Sequence, residues 1–408
     1  MSKLDFYQLK NGMVLLGEPL EHVQSVSFHF LIPAGAAFLP DGCCGAATVI
    51  SDWLFRGAGS RDSRRLTETL DGLGIHRNMK ASSENLSLSA SMEAGSLSEA
   101  LNVFADIILR PTLDPKQFEL SRELAVHELQ GLDDDPRAKV MVYLQEQFYP
   151  DPYSRPPLGE LPQLRALTAE TTAEIVKRFF VPSGMIFAIC GKYDFDAVCR
   201  QMEELFDRDS RFEPAAVTPD YRGTSYKHYP TQGAQVHIGL MTAVPPVTKG
   251  CYYDLMAAVS VLSGSMSSRL FTEVREKRGL CYAVAARYRT MKEYAGISCY
   301  AGTTPDKAQE TVDVIIEQFN QLKECISNDE MQRAKVGLKT SLVMGCESTA
   351  SRSAGIAGDY FLLGRVRSVE EIRDKIAALD ASTVEKTLRE NPFEKYTIVT
   401  IGSKAITI

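Results

Sequence analysis

Apolar and polar residues alternate with a period of two at several places in this chain, the pattern of strands with one buried face. Near the start, Phe6 to Leu9 and Met13 to Leu16 flank Asn11-Gly12, a dipeptide suited to the positive φ angles of a tight turn, so a hairpin is predicted. Val26, Phe28, Phe30 and Ile32 alternate with Ser25, Ser27, His29 and Leu31, and Leu86, Leu88 and Ala90 alternate with Ser87, Ser89 and Ser91. Elsewhere the spacing becomes helical. Gly45 to Phe55 carries Val49, Ile50, Trp53 and Leu54 on a helical period, and Ser63 to Leu73 reads as a further helix. Ser96 with Glu99 has the form of a capping box ahead of Leu101, Phe104 and Ile108. Asp114, Pro115 and Gln117 open a helix with Phe118, Ala125 and Leu129, and Met185 to Cys190 is a strand ended by Gly191.

A second run repeats this order. Val236 to Met241 is strand-like, Tyr252 to Leu262 helical, and Ile297 to Tyr300 again strand-like. Thr304-Pro305 is placed to start a helix carrying Val312, Ile315, Ile316 and Phe319, Ser327 with Glu330 caps the next, and Tyr396 to Ile401 is a last strand. The helix pair opening at Ser96 and Asp114 thus recurs at Thr304 and Ser327, which predicts a duplicated α+β unit. Arg211 to Gly223, with Pro214 and Pro219, reads as a linker and gives domains at 1–215 and 216–408. A length of 408 residues fits two domains of roughly 100–200 residues each.

Composition narrows the class. Charged residues make up 24% and the net charge is −7, without long blocks of one sign, so no nucleic-acid surface is expected. The opening Met1-Ser2-Lys3-Leu4-Asp5 leads into no apolar export segment and no membrane-length apolar run, so a cytoplasmic protein with no membrane partner is expected. Nine scattered cysteines form no disulfide framework and read as small hydrophobes.

Of the six histidines, no two stand four apart, so no helical turn presents a His pair to a metal. No phosphate loop, dinucleotide fingerprint or nucleophile elbow is present. The run Arg275-Glu276-Lys277-Arg278 before Gly279-Leu280-Cys281-Tyr282 admits two readings. It is a solvated helix end stopped by glycine, or a turn across which Arg275 and Tyr282 converge to donate hydrogen bonds to a peptide carbonyl or oxyanion. A strand leaving that turn would also suit pairing with an extended peptide.

Leu9-Lys10-Asn11-Gly12-Met13, the strand into Ala34-Gly35, Gly45 to Gly57, Pro152-Tyr153 with Pro156 and Gly159, and Pro182 to Gly191 together resemble the pitrilysin/insulinase-type (M16) zinc metallopeptidases. The likeness is to short bacterial members related to mitochondrial processing peptidase, and Phe271 to Tyr282 is its most specific stretch, resembling the family's second-half Arg/Tyr motif. The resemblance implies an α+β fold: two homologous domains, each a mixed or antiparallel sheet packed against helices, forming half of a clamshell. The family's zinc helix carries His-x-x-Glu-His, with a third ligand, a Glu, further on. Here those positions fall on Thr48, Ser51 and Asp52, with Glu123 as the distant position and His127-Glu128 one turn beyond it as the other register. Two hard carboxylates without a third ligand or a general base make no peptidase site.

What the resemblance then implies is a non-catalytic subunit binding no cofactor of its own. The zinc is expected in a homologous partner subunit, with a homodimer open to the isolated chain. Arg275 and Tyr282 are expected to act in trans on an extended peptide. A scaffold without proteolytic role, and an active peptidase with a displaced metal site, are the other expectations.

Overall fold

The computed structural model describes residues 4–208, 211 and 225–408. It divides into two compact units, one of residues 1–131, 151–217 and 345–366, the other of 132–150, 218–344 and 367–408. All but Arg211 of the expected linker, and with it the 215/216 boundary, lies outside the described residues.

In the first unit six strands run in the order Asp5–Gln8, Val14–Pro19, Ile186–Gly191, Ser25–Ile32, Leu86–Glu93 and His76–Ala81. The Asn11-Gly12 hairpin forms, with Gly12 at φ 93°. On Ser25–Ile32 the predicted alternation is realised: Val26, Phe28, Phe30 and Ile32 enter a core shared with helices Ala46–Trp53, Leu97–Leu109 and Ala169–Phe179, while Leu31 faces the other way. In the second unit five strands run in the order Cys281–Thr290, Ala295–Thr303, Val236–Ala243, Tyr396–Gly402 and Ser225–Pro230. The two orders are the same sheet written twice. Val14–Pro19 lies parallel to Ile186–Gly191 as Ser225–Pro230 does to Tyr396–Gly402, and every other neighbour is antiparallel in both units. The first sheet adds only Asp5–Gln8. Each unit is thus a mixed sheet packed against helices.

The units are not contiguous halves. Helix Pro136–Phe148, from the first half of the sequence, belongs to the second unit, where Leu144 lies against Gly239 and Phe148 against Gly296. Helix Thr349–Leu363 belongs to the first. Its Ile356 and Ala357 cover Val14, Leu16, Leu31, Ile186 and Ala188, the second apolar face of that sheet, which would otherwise stay wet. Two polar contacts fix the helix there. Arg352 Nε stands 2.7 Å from Glu18 Oε2, both side chains buried, and the Ser27 and Thr349 hydroxyls are 2.7 Å apart.

Local expectations fail in two places. Ser96 makes no side-chain cap bond, because Ala94–Ser96 already forms a 3₁₀ turn and leaves Ser96 helical rather than extended. Pro305 lies in a turn, and the helix starts later, at Ala308–Gln321. The Ser327/Glu330 capping box forms reciprocally. Of the nine cysteines, Cys44, Cys190, Cys199, Cys281 and Cys299 are buried as expected, whereas Cys325 is exposed. No helix among the described residues is long and apolar enough to cross a membrane.

His29 shares its sheet face with Ser27 and Leu31, under helix Thr349–Leu363. Its Nδ1 is buried with no hydrogen-bond partner, and burial pulls the imidazole from its usual 6.5 down to about 4. The folded state therefore holds the ring neutral while the unfolded chain protonates it. This contribution to stability is intact above about pH 6.5 and is lost as pH falls towards 4, amounting to about 3 kcal/mol. Urea unfolding across that range is expected to show a steeper acid limb for the wild type than for His29→Leu. Parallel limbs would show that His29 titrates as an ordinary surface imidazole.

Candidate functional site

Helix Ala46–Trp53 starts at Gly45, whose φ is 97° and where a Cβ would meet the Gly159 Cα at 2.9 Å. This close approach brings the 156–159 segment against the helix, and Thr48 Oγ1 donates to the Pro157 carbonyl at 2.7 Å. Ser51 Oγ donates to the Thr48 carbonyl within its own turn, also at 2.7 Å. Asp52 Oδ2 accepts from Arg56 Nε at 2.8 Å and from Ser121 Oγ at 2.5 Å. All three side chains are engaged in hydrogen bonds, Thr48 and Asp52 with neighbouring segments and Ser51 within the helix.

Glu123 sits on helix Pro115–Gly131 with its carboxylate half-exposed, 3.7 Å from the Arg122 guanidinium. Ser121, which touches Asp52, marks the face of this helix turned toward Ala46–Trp53. Glu123, two residues on, is about 200° round the helix, whereas Glu128, seven residues on, returns to within about 20° of Ser121. Thr48, Ser51 and Asp52 therefore share one face, and Glu123 does not join them. The register one turn beyond places Glu128 on the better side. Glu128 is exposed. Among the described residues no three His, Cys, Asp or Glu side chains are grouped to hold a metal.

The Arg275 and Tyr282 positions are built differently. Phe271–Glu276 is a single π-helical turn, closed by Lys277 N–H on the Thr272 carbonyl at 2.9 Å. Gly279, at φ 55°, reverses the chain into the edge strand Cys281–Thr290. There Cys281 pairs with Thr303 and Ala283 with Gly302, so Tyr282 is the extra residue of a bulge and is 79% exposed. The Arg275 guanidinium carbon lies 4.9 Å from the Tyr282 ring centroid and 4.7 Å from that of Phe271. Both expected residues therefore meet. Among the described residues neither the guanidinium nor the Tyr282 hydroxyl has a hydrogen bond or ion pair with another side chain. Glu273, the nearby carboxylate, is taken by Lys277 and Arg278, each at 2.7 Å, and those cations hold it below its usual range.

The duplicated unit supplies an internal control. In the first unit Ile75 N–H bonds to the Leu70 carbonyl across the turn at Gly74; in the second, Leu280 N–H bonds to the Val274 carbonyl across Gly279. Leu70 and Val274 are both fully buried, so Arg275 occupies the place of Asp71 and Tyr282 that of Arg77. Three residues rather than two then precede the glycine, the one-residue insertion that a π turn represents. Asp71 and Arg77 lie 3.6 Å apart as an ion pair. The same two positions touch in both units, but among the described residues the second unit's cation has no counter-charge.

The chain matches the family model described as "Insulinase (Peptidase family M16)" over residues 18–160 and "Peptidase M16 inactive domain" over 166–338. It has the M16 peptidase domain architecture. An uncharacterised zinc protease of Rickettsia felis is 24% identical over 383 residues, 93% of each chain. One of Bacillus subtilis is 24% identical over 399 residues, 97% of each. A solved peptidase M16 inactive domain from Pseudomonas fluorescens superposes with a TM-score of 0.91 at 17% identity, covering 100% of this chain and 99% of that one. A protease from Helicobacter pylori does so at 0.89 and 18%, covering 98% and 100%. At such identities these two structures establish the fold alone.

The zinc that an M16 peptidase implies does not fit the residues present. Thr48 and Ser51 are neutral hydroxyls already donating to carbonyls, and Asp52 is spent on Arg56 and Ser121.

Proposed function

We propose that this M16 chain is the non-catalytic subunit of a two-chain zinc peptidase, contributing wall to the substrate chamber and binding peptide through Arg275 and Tyr282. One observation carries the reading: an uncompensated, aromatic-held cation beside an exposed phenol, in a chain whose zinc-helix positions are all internally satisfied. The solved Pseudomonas chain, named as an inactive domain, is consistent with such a role. Arg275 donates to a substrate backbone carbonyl. Tyr282 donates its hydroxyl to the oxygen on which negative charge develops as the scissile carbonyl is attacked. The edge strand Cys281–Thr290 offers its outer row of backbone groups to an extended peptide, except at Ala286, whose N–H already bonds to Ser263 Oγ at 2.9 Å.

Because the metal is expected in a homologous zinc-bearing partner, the test starts with the partner. The tagged chain is used to capture bound proteins from its own cell extract, and chain, partner and mixture are then assayed on an unstructured fluorogenic peptide. The expected result is a heterodimer whose hydrolysis greatly exceeds that of either chain alone. Capture of a partner with no gain in hydrolysis would point to a scaffold, and recovery of only a second copy would contradict the heterodimer.

A further inference from the structure

We infer that Phe271 is a positioning residue: it holds the Arg275 guanidinium beside Tyr282 without neutralising it. The inference rests on the substrate-binding role just proposed, and it explains how a surface arginine stays available for that role. A mobile arginine loses much rotamer freedom when it binds, and a carboxylate partner would prevent this only by occupying its N–H donors and cancelling its charge. An aromatic ring attracts the cation through its π face and leaves the donors at the edge of the guanidinium free. Arg275 has two such rings at 4.7 and 4.9 Å, those of Phe271 and Tyr282, and no ion pair among the described residues, while Glu273 is committed to Lys277 and Arg278.

Packing does not account for Phe271. It is partly exposed and stands outside the second unit's core cluster. Aligning the duplicated turns on Leu70 and Val274 puts Phe271 opposite Thr67, an exposed residue. The fold therefore forms with a small polar side chain at this place. In the first unit, where Thr67 stands, the next two positions of the constellation are tied by charge through Asp71 and Arg77. Arg77 also lies over a ring, that of Phe55 at 5.4 Å, but keeps its carboxylate, whereas in the second unit the Phe271 ring accompanies a cation with no ion pair among the described residues.

The test is side-chain NMR on the full chain labelled with 15N-arginine, the Arg275 signal being assigned by its absence in Arg275→Lys. The wild-type Arg275 Nε–H signal is expected upfield of exposed arginines through the ring currents. Phe271→Leu is expected to lose about half of that displacement, and Phe271→Tyr to restore it. A wild-type signal among those of exposed arginines, or one unmoved by Phe271→Leu, would overturn the assignment, and the wild-type spectrum decides even if the leucine variant does not fold. In the reconstituted heterodimer, Phe271→Leu is expected to raise KM several-fold with a smaller fall in kcat, and Phe271→Tyr to recover KM. An upfield signal with no effect of Arg275→Ala on hydrolysis would sink the substrate-binding role while leaving the stacking intact. A shifted signal with KM sensitive to Arg275→Ala but not to Phe271→Leu would show that Phe271 positions nothing that substrate feels.

Discussion

Arg275→Ala and Tyr282→Phe are each expected to lower kcat/KM of the reconstituted heterodimer by about 10²-fold, the usual loss for one donor to a developing oxyanion or its substrate. Tyr282→Phe is the sharper variant. It keeps the ring, and with it the stacking on Arg275, and removes only the hydroxyl. Since Tyr282 is 79% exposed and contributes no buried contact, its loss is expected to change unfolding stability by less than about 0.5 kcal/mol. A fall in rate with unchanged stability identifies the phenol as a substrate-facing donor. Full activity in Tyr282→Phe would remove it from that role, and a matching fall in stability would make it structural. The zinc content of the partner is the control, because the proposed metal belongs to that chain.

The largest structural effect is expected at the buried pair that docks Thr349–Leu363 onto the first sheet. Arg352→Ala leaves the Glu18 carboxylate buried and unpaired, at a cost of about 3–5 kcal/mol. Replacing both partners by apolar residues, Arg352→Met with Glu18→Leu, is expected to recover most of that loss, because no charge then remains to be desolvated. Trp53 is the only tryptophan, is fully buried and lies in the same unit, so its fluorescence during urea unfolding reads this unit directly. Equal destabilisation by the single and double changes would mean that the pair contributes net attraction rather than a matched cancellation.

Part of the architecture was legible because strands such as Leu86–Glu93 alternate cleanly. Val26, Phe28, Phe30 and Ile32 show the strand and its core face, and the recurrence of the second helix of each capped pair shows the duplication. The two helices that complete the opposite units were not legible. Pro136–Phe148 buries only Val140, Leu144 and Phe148, a stripe one residue wide. Thr349–Leu363 buries Arg352, Ser353 and Asp359 among its apolar residues, so its packed face reads as polar. Neither pattern says which sheet it will meet, since sequence periodicity carries no information about long-range partners.

The site divides in the same way. The absence of metal ligands at Thr48 and Ser51 follows from residue identity alone, whereas the Arg56 and Ser121 bonds that occupy Asp52 required the fold. The sequence leaves the distant position open between Glu123 and the register one turn on, because helix Pro115–Gly131 offers both Glu123 and Glu128, and only the Ser121 contact tells which side faces Asp52. Phe271 had a signal, four residues before Arg275, that an i, i+4 reading of the motif would have caught.

Metal analysis of the isolated, purified chain after incubation with zinc and removal of the excess tests the non-catalytic assignment most directly. That assignment predicts far less than one zinc per chain and no chelator-sensitive hydrolysis of an unstructured peptide. One tightly held zinc per chain, with hydrolysis abolished by chelator, would contradict it.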